Sequence, residues 1–105
     1  MAFVGMNAAN AWVSFSSDNS IRDSYNVSSV ARYSTGNFAV NLSITLPSTD
    51  YVVVSGASNG TGSNAVYLGS GWPSSTTQFY HATHWTNGTA YDRTHNFSAV
   101  FGDRY

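Results

Sequence analysis

Lysine, glutamate and cysteine are absent from this sequence, and proline occurs only twice. Without cysteine there is neither a disulfide framework nor a thiolate metal site, and the redox compartment stays open. Without lysine and glutamate the whole charge inventory is Arg22, Arg32, Arg93 and Arg104 against Asp18, Asp23, Asp50, Asp92 and Asp103. Charged residues make up 9% of the chain, where about 25% is usual. Nucleic-acid binding by counterion release needs cations gathered on one face, and dispersed arginines offset by aspartates do not supply them. No run approaches the ~18 apolar residues of a membrane span. The opening Met-Ala-Phe-Val-Gly-Met has neither the basic stretch nor the long apolar stretch of a signal peptide. Neither nucleic acid nor membrane is expected as a partner.

What the chain has instead is hydroxyl and amide. Ser, Thr and Asn account for 37 of the 105 residues. Such a surface is weakly protected from association by self-repulsion, and it suits a protein whose surface is taken up by neighbouring subunits. Apolar residues (42%) and aromatics (15%) are spread along the whole length, too many for a disordered segment. We read residues 1–105 as one domain, with no linker or internal repeat. Five Asn-x-Ser/Thr sequons, at Asn26, Asn41, Asn59, Asn87 and Asn96, are expected by chance in this composition.

Period-two alternation dominates, and helix-length stretches with apolar spacing of three and four are missing. The chain is therefore expected to be all-β, a small antiparallel β-sandwich or barrel. Ala11 to Phe15 is a strand with Ala11, Val13 and Phe15 on one face. A Ser-Ser-Asp-Asn turn leads into a second stretch from Ile21 to Tyr33. Phe38, Val40, Leu42, Ile44 and Leu46 alternate with polar or small residues, the pattern of a half-buried strand ended by Pro47. Ser34-Thr35-Gly36-Asn37 joins it to the preceding strand as a hairpin. Val52-Val53-Val54 suggests a strand buried on both faces, inside the sandwich or against another subunit. Ala65 to Leu68, Thr76 to Trp85 and Asn96 to Phe101 complete the set, separated by turns at Gly69-Ser70-Gly71-Trp72-Pro73 and Thr86-Asn87-Gly88-Thr89. On this alternation Phe3, Phe15, Phe38, Phe79, Phe97 and Phe101 are assigned to the core.

Three motifs suggest chemistry. Gly56-Ala57-Ser58-Asn59-Gly60 matches the nucleophile elbow of serine hydrolases, but that elbow must lead into a helix, and here Gly, Ser and Asn lead to another strand. Gly60-Thr61-Gly62-Ser63-Asn64-Ala65 matches a dinucleotide fingerprint with neither its helix nor the acidic residue ~20 positions on. His81 and His84 differ by an odd number of positions, so one strand points them to opposite faces and they cannot pinch a metal. A ring of equivalent histidines on a trimer axis is the arrangement left open. Nothing fixes a pair of aspartates at the separation glycoside hydrolysis needs. No enzyme, cofactor or metal is expected. Trp72, Trp85, Tyr91, Arg93 and His84 stand apart from the alternating core. They are the candidate glycan or partner contacts, with packing on a neighbouring subunit as the competing role.

Several blocks then fall into a recognisable order: Ala11-Trp12-Val13-Ser14-Phe15, Ile21 to Val30, Thr35-Gly36-Asn37-Phe38-Ala39-Val40-Asn41, Leu46-Pro47, Tyr51-Val52-Val53-Val54, and Phe97 to Asp103. In order and spacing the chain resembles the C-terminal β-module of bacteriophage tail-fibre and virion-appendage proteins, of the kind found in cyanobacterial and marine phages. The resemblance implies a homotrimeric virion structural protein displayed on the particle, with other virion proteins and host surface polysaccharide as partners. It carries over no catalytic residue. Two features of that module are not expected from these residues: an N-terminal attachment region is not read before Ala11, and a closely spaced His-x-His pattern does not occur in the sequence. A capsid cement or decoration protein and a free carbohydrate-binding domain are the alternatives. Binding specificity of the fibre type is expected in the loops at 58–64, 69–75 and 86–90.

Overall fold

The computed structural model describes residues 9–58, 67–85 and 89–102, and the side chains of Tyr67 and Trp85 fall outside that description. Eight strands form: β1 (Ala11–Phe15), β2 (Ile21–Tyr25), β3 (Val27–Ser34), β4 (Asn37–Leu42), β5 (Val52–Ser58), β6 (Tyr67–Ser75), β7 (Gln78–Trp85) and β8 (His95–Phe101). They make two four-stranded antiparallel sheets, ordered β2-β1-β8-β5 (sheet A) and β3-β4-β7-β6 (sheet B), packed face to face as a β-sandwich.

Local chemistry explains where the chain turns. Between β1 and β2, Asn19 takes a left-handed φ of 74° while the Ser20 N–H donates to the Asp18 side chain. The Ile21-to-Tyr33 stretch, read as one element in the sequence, is two strands in different sheets. Asn26, at φ 59°, bends the chain from sheet A into sheet B, and its side-chain amide donates to the Asn10 carbonyl. The β3–β4 hairpin forms as expected, with Gly36 at φ 72°. That glycine is obligatory twice over, since a Cβ there would also lie 2.7 Å from the Thr83 carbonyl oxygen.

The core lies between the sheets. Phe15 of sheet A meets Phe38 and His81 of sheet B edge to face, at 5.1 and 5.2 Å between ring centroids. Val13, Val40, Phe79 and Val100 fill the space around them. The Phe38-to-Leu46 alternation is correct in its facing, because Phe38, Val40, Leu42 and Leu46 are all buried, although the ladder itself stops at Leu42. The Tyr51 hydroxyl lies 2.7 Å from both the Ser75 and the Gln78 carbonyl oxygens, tying the start of β5 to the β6–β7 turn.

Three expectations are corrected. Gly69-Ser70-Gly71-Trp72-Pro73 is not a turn: it is the body of β6, an edge strand, where a proline costs no ladder hydrogen bond. Phe97 and Phe101 are not core, because Asn96, Ser98 and Val100 take the inward positions of β8. The Val52-Val53-Val54 run is not buried within the sandwich, since only Val53 packs on the core, while Val52 and Val54 are 59% and 56% exposed.

Candidate functional site

The nominated residues divide into two groups. Trp72 projects from β6 opposite Tyr80 of β7, their ring centroids 5.4 Å apart, and Tyr80 meets Tyr33 of β3 at 5.5 Å. These three rings form a row on the outer face of sheet B. His84 lies on the same outer face of β7, four residues and roughly 13 Å further along the strand, beside Leu68 and bridged to Ala90. Through that bridge His84 joins Tyr91 and Arg93, whose guanidinium carbon sits 4.8 Å over the Tyr91 ring. Trp85 closes β7 opposite Tyr67, with its side chain outside the described residues. Phe3 and most of the loops at 58–64 and 86–90 lie outside them as well.

The segment carrying Tyr91 and Arg93 is fastened to the β3–β4 hairpin by Asp92. Its carboxylate accepts the Gly36 N–H at 2.8 Å and pairs with Arg32 at 2.9 Å. Partial burial alone pushes the carboxyl up, but hydrogen bonds from Arg32 and Gly36, with the charges of Arg32 and Arg93, outweigh it and hold Asp92 below its ordinary value.

A second surface is on the outside of sheet A. The cross-strand register brings Trp12, Ala99 and Val54 into one row and Ser14, Phe97 and Gly56 into the next. They line a shallow apolar groove of about 460 Å³. Tyr25, Val52 and Phe101 extend the face, with Phe97 42% and Phe101 37% exposed. Strands β1, β8 and β5 carry no Asp or Arg at all, and the Asp and Arg of sheet A are on β2, at Arg22 and Asp23.

The most concentrated chemistry in the molecule is inside it. His81 Nδ1 lies 2.8 Å from Ser98 Oγ, which lies 2.9 Å from Ser55 Oγ. His81 Nε2 faces Thr83 Oγ1 and Asn96 Oδ1 at 3.2 and 3.3 Å. The Asn96 amide donates to the Arg93 and Phe15 carbonyls. One proton placement satisfies the histidine and its partners: Ser55 donates to Ser98, Ser98 to Nδ1, and Nε2–H and the Thr83 hydroxyl to Asn96 Oδ1. Burial lowers the His81 pKa to about 4 against the opposing effect of the Asn96 hydrogen bond, so the ring is neutral at pH 7. Serine, histidine and asparagine here have the contacts of nucleophile, base and orienting group. Ser98 is only 4% exposed between the two sheets, however, and the network reads as the polar part of the core.

His81 points inward and His84 outward, as their spacing requires, and among the described residues no three His, Asp or Glu side chains cluster as a metal site. Comparison with family models, with curated proteins and with solved structures returns no match. Sequence reasoning missed Tyr33 and Tyr80, which come together only once β3 and β7 are both registered on β4. It also missed the sheet A face, where Phe97 and Phe101 had been assigned inward.

Proposed function

We propose that the chain is a structural module of a bacteriophage virion, one subunit of a homotrimeric tail fibre or appendage that contacts host surface glycans. The sequence blocks resembling fibre-tip modules suggest the setting. The observation that carries the assembly part is the outer face of sheet A, where Trp12, Val52, Val54, Phe97 and Phe101 stand together on strands that contain no Asp or Arg. A contiguous apolar face of this kind marks an interaction surface. A second copy of the same chain fits it because the face is apolar and β1, β5 and β8 carry no Asp or Arg, so two such faces meet without repulsion between those charges.

Repetition then makes weak contacts useful. A single site of about 1 mM affinity is worth ~4 kcal/mol, and several sites on one assembly raise avidity by ~10² to 10⁴ where their spacing allows simultaneous engagement. Electron cryo-microscopy of virions from a phage that encodes the chain tests the placement. Density for three copies on a tail appendage is the expected result. Density on the shell lattice would replace the proposal with a capsid cement role, and no copies on the particle would leave a free carbohydrate-binding domain.

A further inference from the structure

The row of rings on sheet B has a construction that the loop-based expectation did not anticipate. In register, Ala31, Ala39, Tyr80 and Trp72 lie side by side across all four strands of the sheet. The two alanines leave room for Tyr33 to lie over β4 and reach Tyr80. Tyr33 and Trp72 are 55% and 42% exposed, while Tyr80 between them is half-buried, so two prominent rings flank a lower one. The planes are inclined, 62° between Tyr33 and Tyr80 and 47° between Tyr80 and Trp72, which makes a trough and not a flat stack.

Beside this trough runs a continuous line of side-chain hydrogen bonds that also crosses the sheet. Ser74 Oγ donates to Gln78 Oε1, Gln78 Nε2 to Asn41 Oδ1, and Asn41 Nδ2 to Ser29 Oγ, at 3.0, 2.9 and 3.0 Å. These groups hold one another in place and retain further lone pairs and protons for a ligand. No ionised side chain belongs to the trough or the line, and the neighbouring Arg32 is already engaged by Asp92.

We infer that the trough formed by Tyr33, Tyr80 and Trp72, with the Ser74-Gln78-Asn41-Ser29 line as its polar wall, is a binding site for a neutral oligosaccharide. Tyrosine and tryptophan give broad, rigid contact to the C–H faces of sugar rings at small entropic cost. Fixed amides and hydroxyls match sugar hydroxyls, and a few placed polar groups beside an apolar surface are what a ligand site needs. Ligands bearing phosphate, sulfate or uronate would lose hydration here with no cation to replace it. The inference rests on the glycan-contacting part of the proposed function and is independent of the assembly part.

The test is titration of the full chain with neutral gluco-, manno- and galacto-hexasaccharides and with a uronate hexasaccharide, followed by NMR shifts of the backbone amides. At least one neutral hexasaccharide is expected to saturate at about millimolar concentration, shifting β3, β6 and β7, with no loss at high salt and no response to the uronate. Trp72→Ala and Tyr33→Ala should each weaken it about tenfold or more while keeping the far-ultraviolet circular dichroism and a cooperative melt, since both rings lie on the outer face. Absence of binding by every neutral sugar, or unchanged binding in both variants, overturns the site while leaving assembly on sheet A standing. A fall in assembly mass in Trp72→Ala also overturns it, by making the row a subunit contact.

Discussion

Gly56 of β5 and Gly69 of β6 face each other across the edge of the sandwich so closely that a Cβ on Gly69 would lie 2.7 Å from the Gly56 Cα. The two strands belong to different sheets and share no ladder, so their backbones touch where the sandwich comes nearest to closing into a barrel. Gly71 continues the contact, since a Cβ there would lie 2.6 Å from Ser55 Oγ and would also meet Val53. The obstacle to a larger residue at Gly69 is main chain, which cannot rotate away.

Gly69→Ala is therefore expected to destabilise the fold by roughly 1–3 kcal/mol, the ordinary range for overpacking. For a domain of this size that corresponds to about 4–8 °C in melting temperature per kcal/mol. A thermal melt measures it, and an unchanged midpoint would mean that β5 and β6 are not in contact.

The buried histidine sets a pH dependence of definite sign. Its folded pKa is lowered to about 4 from an ordinary 6.5 because burial penalises the charged ring. Between those values the unfolded chain takes up a proton that the folded chain refuses. Stability is thus complete above pH 6.5, falls by about 3 kcal/mol as the pH drops toward 4, and levels off below that. Asp92, held below its ordinary value, adds a separate loss at still lower pH, as its carboxylate is protonated. Urea denaturation from pH 7 to 4 should show the first limb, and His81→Gln should flatten it even if its stability at pH 7 is lower.

Asp92 is the peg that fixes the 89–93 segment to the β3–β4 hairpin. Asp92→Ala removes the acceptor of the Gly36 N–H and the partner of Arg32 together. Charged hydrogen bonds are worth more than neutral ones, but this pair is partly solvated, so the expected cost is roughly 1–2 kcal/mol. Chemical denaturation at pH 7 measures it, and a denaturation midpoint equal to the parent's would remove Asp92 from the account.

Much of this architecture was legible in the residues. Ala11 to Phe15 alternates cleanly, and it forms a strand with the expected facing. Gly36 and Asn37 marked a hairpin because few other residues tolerate such a turn. The errors have a shared physical origin. Glycine and proline signal turns because they relax backbone constraints, but an edge strand pressed against another backbone needs the same residues, which is why β6 was read as a turn. On β8 both faces carry apolar side chains, so alternation alone cannot say which faces the core. That choice went to the outward pair of phenylalanines because Asn96 and Ser98 are needed inside by His81, a partner 15 to 17 positions away. The sequence nominated Trp72 for the candidate glycan site, but the companion rings Tyr33 and Tyr80 required the register of all four strands of sheet B.

Assembly through sheet A makes a local prediction. Val54→Arg places a charge in the middle of the apolar groove, on a side chain that is exposed in the single chain. It should leave the fold and its far-ultraviolet circular dichroism intact while dissociating the assembly, because burying an unpaired charge at an interface costs several kcal/mol. Unchanged mass in this variant would show that the subunits meet elsewhere.

The measurement that bears most directly on the central claim is the solution mass of the purified parent chain by multi-angle light scattering. A trimer has three times the 11.3 kDa of one chain, and this mass is expected to persist on dilution. A stable mass of 11.3 kDa would contradict it and leave the sheet A face without the partner proposed for it.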